Sequence, residues 1–362
     1  MSMTRNTLLP EKHSPETTRL KKNTHKKAMF IWGIAILGVF LPACEKIFME
    51  ADPSEDPVRV FEEIWDFTDR YYSFFEEKGV DWDALYDEYR PQVEPDMNPV
   101  DLFDLCADML YELRDGHVNL LSSFDRSRYW KWYLDSPENF YYSIIERHYL
   151  QGNQRYVGPL QFVFLNPQVA YVYYGSFANP VSEDNLDLII NSIQDLDGLI
   201  IDVRHNGGGD PTNGRNIARR FTNERVFAGT NFIKSGPGHD DFSEHRVFID
   251  PHDGPRFSGK VMLLTNRRSY SATTYFAQYM RQLDNVTLVG DTTGGGAGLP
   301  AFRDLPNGWL LRVSSSKFYD PAGKSIESGV PPDVYAEIPE VNDNLLLTRD
   351  PIIDKAIEMI LE

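Results

Sequence analysis

Hydrophobic residues first recur at helical spacing from Pro57 onward. Phe61, Ile64, Trp65, Thr68, Tyr71 and Phe75 share one face of a predicted helix that Asp56 can cap and Pro57 can begin. A second helix is predicted near Asp81, in DWDALYDEYRPQV, and a third from Asn98-Pro99 to Arg114. Three amphipathic helices with short connections predict a small helical domain over residues 57–117. From Val118 the period changes. VNLLSS, YYSIIERHYL, RYVGPLQFVFL and VAYVYYGSF are rich in β-branched and aromatic residues and read as strands. A helical stretch (181–196), a strand GLIIDVR, a glycine loop NGGGD and a helix (211–221) follow. Strand, loop and helix recur in VMLLTNRRSYSATTYFAQYM (261–280), the strand TLVG leads into DTTGGGAG, and a helix over 351–361 closes the chain. This alternation predicts an α/β domain over residues 118–362.

The N-terminus has a different pattern. Residues 1–28 are basic and polar, with Arg19, Lys21, Lys22, Lys26 and Lys27, and an apolar run MFIWGIAILGVFLPA leads to Cys44. The run is shorter than the roughly 20 residues a spanning helix needs, so it reads as a secretory signal, with an uncleaved anchor as the rival. Leu41-Pro42-Ala43-Cys44 resembles a bacterial lipobox, which implies a signal over residues 1–44, lipidation at Cys44 and a tether over 45–56. It further implies a bacterial cell-envelope protein held by its lipid to the outer membrane, on the periplasmic or the surface face. The 362-residue chain has 41% hydrophobic and 25% charged residues, ordinary for a globular protein. Its formal net charge of -18 disfavours nucleic acid, whose binding rests on cations meeting phosphates. With Cys44 lipidated, Cys106 is left alone on an apolar helical face and reads as a small core residue.

Ser271 stands between a strand and a helix. There it is either an N-cap or a nucleophile beside the free N–H groups of a first helical turn. Gly207-Gly208-Gly209 allow a close backbone approach and an anion nest, or are only a flexible turn. They make no dinucleotide fingerprint, since Thr212 occupies the third glycine position, and Leu299 disqualifies the loop at Gly294–Gly298 in the same way. The stretch GPRFSGKV fails as a phosphate-binding loop, because Val261 follows Lys260 and a strand follows both. His239, His245 and His252 lie in a polar segment read as a solvated loop, His205 is in the glycine loop, and no spacing supports a metal or cofactor. His117 follows the helix stop at Gly116. It reads either as a histidine at the helix's negative end or as a general base at the edge of a cleft.

Taken in order, LRDGHVNL, GLIIDVRHNGGGD, LLTNRRSYSATTYFA, VGDTTGGG and GKSIESGVPPD resemble the tail-specific, or C-terminal processing, serine peptidases and the related tricorn core protease. The resemblance implies a crotonase/ClpP-like catalytic domain of β-β-α units and a peptide or protein substrate. It also implies Ser271 as nucleophile and an oxyanion hole made by the N–H of Ala272 and of Gly207 or Gly208. The lysine base of the processing peptidases is missing, since Gly296 holds its position. The resemblance is therefore closer to the tricorn branch, in which His117 matches the base and Glu327 the supporting glutamate. That branch places a serine next to the histidine, where this chain has Gly116; Glu327 directly, a water or Asp115 remain as candidates to orient His117. No PDZ domain fits between His117 and Val169. A non-catalytic lipoprotein binding peptides or hydrophobic ligands is the alternative on the same fold, and an acyl-CoA enzyme a more distant one.

Overall fold

The structure, a computed structural model, describes residues 56–339 and 348–362. Cys44, the leader and most of the tether lie outside the described residues, among which no helix is long and apolar enough to cross a membrane.

The helical segment forms as its caps dictate. Helix α1 (Pro57–Tyr71) starts with the Asp56 side chain accepting from Val58 N–H and buries Val60, Phe61, Ile64 and Thr68. A single turn, α2 (Phe75–Lys78), stops at Gly79, whose φ of 61° suits glycine. Helix α3 (Trp82–Tyr89) is capped by Asp81, and α4 (Pro99–Tyr111) by Asn98. These helices bury one core with the antiparallel sheet β1 (Asn119–Leu121), β10 (Pro300–Asp304) and β11 (Leu310–Ser314), ordered β1-β11-β10. Cys106 is fully buried in that core, where burial pushes its thiol well up and leaves it inert.

A seven-stranded sheet carries the rest, in the order β13-β9-β8-β5-β4-β3-β2. Its parallel part is β4 (Val169–Tyr173), β5 (Gly198–Asp202), β8 (Lys260–Thr265), β9 (Val286–Gly290) and β13 (Val334–Tyr335); β2 (Arg155–Val157) and β3 (Leu160–Phe164) extend it antiparallel. Helices cover it: α7 (Glu183–Ser192), α8 (Pro211–Ala218), α9 (Ala272–Arg281) and, on another core cluster, α10 (Pro351–Leu361). Both faces being covered, the parallel strands read as near-continuous apolar runs.

Two stretches depart from expectation. YYSIIERHYL is not a strand: after the single turn α5 (Lys131–Leu134), a helical turn α6 (Tyr142–Ile145) runs into a π-helical turn (Glu146–Leu150). Its aromatic and β-branched content mimics a strand, yet Ile144, Ile145 and Leu150 are buried at helical spacing. The polar segment holding His239 and His245 is a hairpin rather than a loop. Strand β6 (Val226–Lys234) pairs β7 (Phe242–Ile249), and β12 (Ser316–Tyr319) pairs β6 on its other side. Both strands are largely half-buried or exposed, so neither shows the apolar run that marks a core strand.

Candidate active site

Asn266 to Ser271 joins β8 to α9 and is clamped on two sides. The Ser269 hydroxyl donates to Val203 C=O (2.9 Å), Tyr270 N–H to Asn206 C=O (3.0 Å), and Ser271 N–H to Gly295 C=O (2.8 Å). Thr273 Oγ1 donates to Asn206 C=O at 2.8 Å, and Thr274 Oγ1 to Gly295 C=O at 2.8 Å. The two glycine loops thus hold the junction between them. Ser271 takes φ 60° and ψ −121°, and its side chain makes no capping bond. A non-glycine residue in such a region costs about 1–3 kcal/mol and persists only where its surroundings over-determine it. Nor does the N-cap reading account for it, because the hydroxyl serves none of the helix's N–H groups.

The first glycine loop comes up against this serine. Gly208 has φ 99°, and a Cβ there would lie 2.8 Å from Ser271 Cβ and 3.0 Å from Ala272 N, so only glycine fits. Gly208 N–H is engaged by Asn206 Oδ1 at 3.0 Å. Among the described residues the N–H groups of Gly207 and Ala272 meet no acceptor, and Ala272 opens the buried helix α9. One unfilled donor, the N–H of Ala272, therefore adjoins the strained serine, and a second, that of Gly207, lies one residue before the glycine packed against it.

His117 is buried between α4 and β1. Its Nδ1 lies 3.0 Å from Gly298 C=O. A carbonyl only accepts, so Nδ1 carries the proton and Nε2 keeps the lone pair a base needs. Neither Asp115 nor Glu327 hydrogen-bonds the ring: Asp115 accepts from the backbone N–H of His117 at 2.7 Å, and Gly298 C=O holds the imidazole. Burial, and then the Arg312 charge, push His117 down to about 4 against the pull of Asp115. The imidazole is neutral at physiological pH. Its ring meets Tyr270 edge-on at 4.9 Å, one residue before Ser271, but no hydrogen bond joins His117 to Ser271. Catalytic hydrogen bonds are often long without substrate and tighten with it.

Glu327 reaches His117 only through the backbone. Its Oε2 accepts from Ala297 N–H (2.8 Å), and the next residue's carbonyl holds the ring. Its Oε1 accepts from Lys78 Nζ (2.9 Å), a residue of α2 that no sequence pattern pointed to. Burial pushes Glu327 up to about 7, with Lys78 acting against it. Asp115 accepts from Ser314 Oγ at 2.9 Å and stands 3.9 Å from the same lysine.

Tyr270 fills two positions where the resemblance predicts other groups. A Cβ on Gly116 would fall 2.6 Å from the Tyr270 hydroxyl and 2.7 Å from Trp132 Nε1, and any side chain on Gly296 (φ 69°) would drive into the Tyr270 ring. Trp132 stacks on that ring at 4.1 Å. A cleft of about 290 Å³ opens here, walled by Lys78, Gly116, Trp132, Arg267, Tyr270 and Glu327; neither Ser271 nor His117 lines it. Of the other histidines, His205 pairs with Glu138 at 3.1 Å, His239 with Asp69 at 2.8 Å and His252 with Glu183 at 3.1 Å.

Comparison with known proteins shows the family. The profile of peptidase family S41 matches residues 168–336, which hold Ser271, Glu327 and both glycine loops, and the tricorn protease C1 domain matches residues 53–111. His117 lies between the two matches. A crystal structure of a presumed peptidase from Parabacteroides merdae is 44% identical, with a TM-score of 0.80, covering 85% of this chain and 98% of that one. The tricorn protease of Thermoplasma acidophilum is 28% identical over 219 residues, 60% of this chain but 18% of that protein. The tail-specific protease of Haemophilus influenzae is 29% identical over 189 residues, 48% of this chain and 25% of that protein. The chain thus spans a quarter or less of these two named proteases. With 44% identity across nearly the whole of a solved relative, and the family profile lying over the strained serine, the chain belongs to peptidase family S41, a family of serine-type peptidases.

Proposed function

We propose that this chain is a cell-envelope serine peptidase that hydrolyses peptide bonds through an acyl-enzyme on Ser271, on a crotonase-like scaffold of the tricorn type. One observation carries the reading: Ser271 is held at φ 60°, free of any capping bond, next to the unengaged N–H of Ala272 and packed against Gly208 of the glycine loop. In this scheme His117 Nε2 takes the Ser271 proton as Oγ attacks the peptide carbonyl. The N–H groups of Gly207 and Ala272 receive the oxyanion, each contributing about 3 kcal/mol to the transition state. Gly207 is preferred to Gly208 because the latter's N–H already serves Asn206. His117 then passes its proton to the leaving amine, and water hydrolyses the ester by the same route in reverse. Glu327 acts at one remove, through Ala297 and Gly298. The lipobox-like Leu41–Cys44 supports a lipid anchor, which Cys44→Ala would release from the membrane fraction.

The test is covalent labelling. Wild type should react with a fluorophosphonate and Ser271→Ala should not; equal labelling of the two removes the acyl-enzyme. His117→Ala should slow labelling by about 10²-fold or more, and an unchanged rate would dismiss His117 as the base. The second reading, a non-catalytic binder of peptides or hydrophobic ligands, is favoured by one feature, the missing Ser271–His117 hydrogen bond. It predicts ligand retention with no labelling.

A further inference from the structure

Of the six strands at the edges of the three sheets, five are short: β1 has three residues, β10 five, β12 four, β13 two and β2 three. Shortness is one way a protein keeps an edge from pairing with another chain. Strand β7 is the exception. It runs for eight residues without a proline, and among the described residues β6 pairs it on one side alone. The hairpin's register shift falls between Phe227 and Gly229, so the extra residue lies in β6 and β7 stays regular.

The register also says which backbone groups of β7 are free. Ser235 N–H donates to Asp241 C=O at 2.9 Å, and the same register sets Ile233 opposite Ser243, Asn231 opposite His245 and Gly229 opposite Val247. In an antiparallel pair every second residue bonds across, so Ser243, His245 and Val247 turn their N–H and C=O toward β6. Those of Glu244, Arg246 and Phe248 turn outward, where no hydrogen bond among the described residues reaches them. The side chains of Phe242, Glu244, Arg246 and Phe248 share one face of the strand. The Arg246 guanidinium is held there at 4.5 Å from the centre of the Phe227 ring and 5.4 Å from that of Phe248. Glu244 and Arg246 are both exposed, and neither has an ion-pair partner among the described residues.

The order of these residues is complementary to itself. Two copies of β7 laid antiparallel, with the two-fold axis at His245, bring Glu244 of each copy opposite Arg246 of the other. Phe242 then falls opposite Phe248, also twice, and both kinds of pair sit on outward-turned backbone groups, as a ladder requires. Moving the axis one residue either way sets Glu244 against Glu244 or Arg246 against Arg246, and like charges directly opposite are unfavourable. Charge on an edge usually keeps copies apart. Here its sign alternates, so one register attracts.

We propose that β7 is a homodimerisation edge: two copies of this chain join β7 to β7 about a two-fold axis at His245, and their three-stranded sheets become one sheet of six. The contact is isologous, so two copies satisfy it and the assembly closes.

Sedimentation velocity of the full-length protein in mild detergent, over a concentration series, reads the association. A monomer–dimer equilibrium is expected. Glu244→Arg and Arg246→Glu each set like charges opposite one another twice per dimer, and each should weaken association about tenfold or more. The double variant restores opposite signs and should return to within about threefold of the parent protein. Oxidation of His245→Cys reads the contact separately, since residues facing each other on the axis have Cα atoms about 4.5 Å apart, within reach of a disulfide. Its crosslinked dimer should exceed that of the parent protein, which keeps Cys44 and Cys106, and that of Ser243→Cys. A protein that stays monomeric throughout overturns the proposal and leaves the edge to an extended peptide. So does a dimer indifferent to the single reversals, a double variant no tighter than the singles, or growth beyond two copies. Circular dichroism checks each fold. Where a reversal misfolds, the cysteine variants decide, and equal crosslinking from positions 243 and 245 overturns the proposal.

Discussion

Two clusters of buried charge sit in this molecule, and they are built on opposite plans. Around Arg204 every guanidinium nitrogen is paired. Its guanidinium meets Asp202 through Nε (3.0 Å and 3.1 Å) and Nη2 (2.6 Å), and Asp350 and Asn139 C=O through Nη1 (2.9 Å and 3.2 Å). Asp202 also accepts from Tyr171, and Asp350 caps α10 through Ile352 N–H and Ile353 N–H. All three charged side chains are sealed from solvent. Around His117 the plan is open. Lys78 is divided between Glu327 and Asp115, Glu327 is pushed up to about 7 by its burial, and Arg128 and Arg312 lack carboxylates. A cluster that completes its own pairing fastens elements together, here β5 to the C-terminal helix. One that leaves donors over keeps charge unmatched in the interior.

The contrast can be broken at either end. The largest effect is expected from Arg204→Met, which strands Asp202 and Asp350 in the interior and should cost about 3–5 kcal/mol; urea unfolding reads it, and a loss under about 1 kcal/mol would show that the closed cluster is not a fastener. Lys78→Met should come next. It loosens the Glu327–Ala297–Gly298 support under His117 and should lower kcat by about tenfold or more, near 1.4 kcal/mol. KM should change little and Lys78→Arg should recover part of the rate, whereas a loss confined to KM would speak against a positioning role. The smallest effect concerns pH. With His117 pushed down to about 4, the rate of fluorophosphonate labelling should hold through pH 6 and fall only as pH drops through that value. Arg312→Gln removes a cation that disfavours protonation, so its acid limb should move upward. A wild-type limb near 6.5 would contradict the buried, neutral histidine.

The sequence made some of this readable and hid the rest, for physical reasons. VAYVYY, GLIID, VMLLT and TLVG announce the parallel sheet because strands buried on both faces carry continuous apolar runs. Glycine loops and a serine before a helix were equally visible, since their backbone geometry restricts the residue type. YYSIIERHYL misled because a short apolar and aromatic run does not declare its period. The β6–β7 hairpin hid behind polar side chains on both faces. What holds His117 had no signature at all: Gly298 acts through its carbonyl, which every residue possesses, and Lys78, Arg128 and Arg312 reach the region from distant points of the chain. Tyr270 was in plain sight beside Ser271. Its importance lies in the space it takes from Gly116 and Gly296, and space is a property of three dimensions.

That occupied space also sets what mutation can reach. A lysine at position 296 meets two obstacles, the positive φ of the backbone and the ring of Tyr270 against it. Shrinking Tyr270 alone removes the neighbour on which Trp132 stacks and against which His117 rests edge-on, while adding the lysine alone collides with the ring. Each single step passes through a damaged intermediate, so a chain of this kind and one with a lysine base are separated by a valley that only paired substitutions cross. Laboratory evolution by single changes should therefore not arrive at the lysine chemistry.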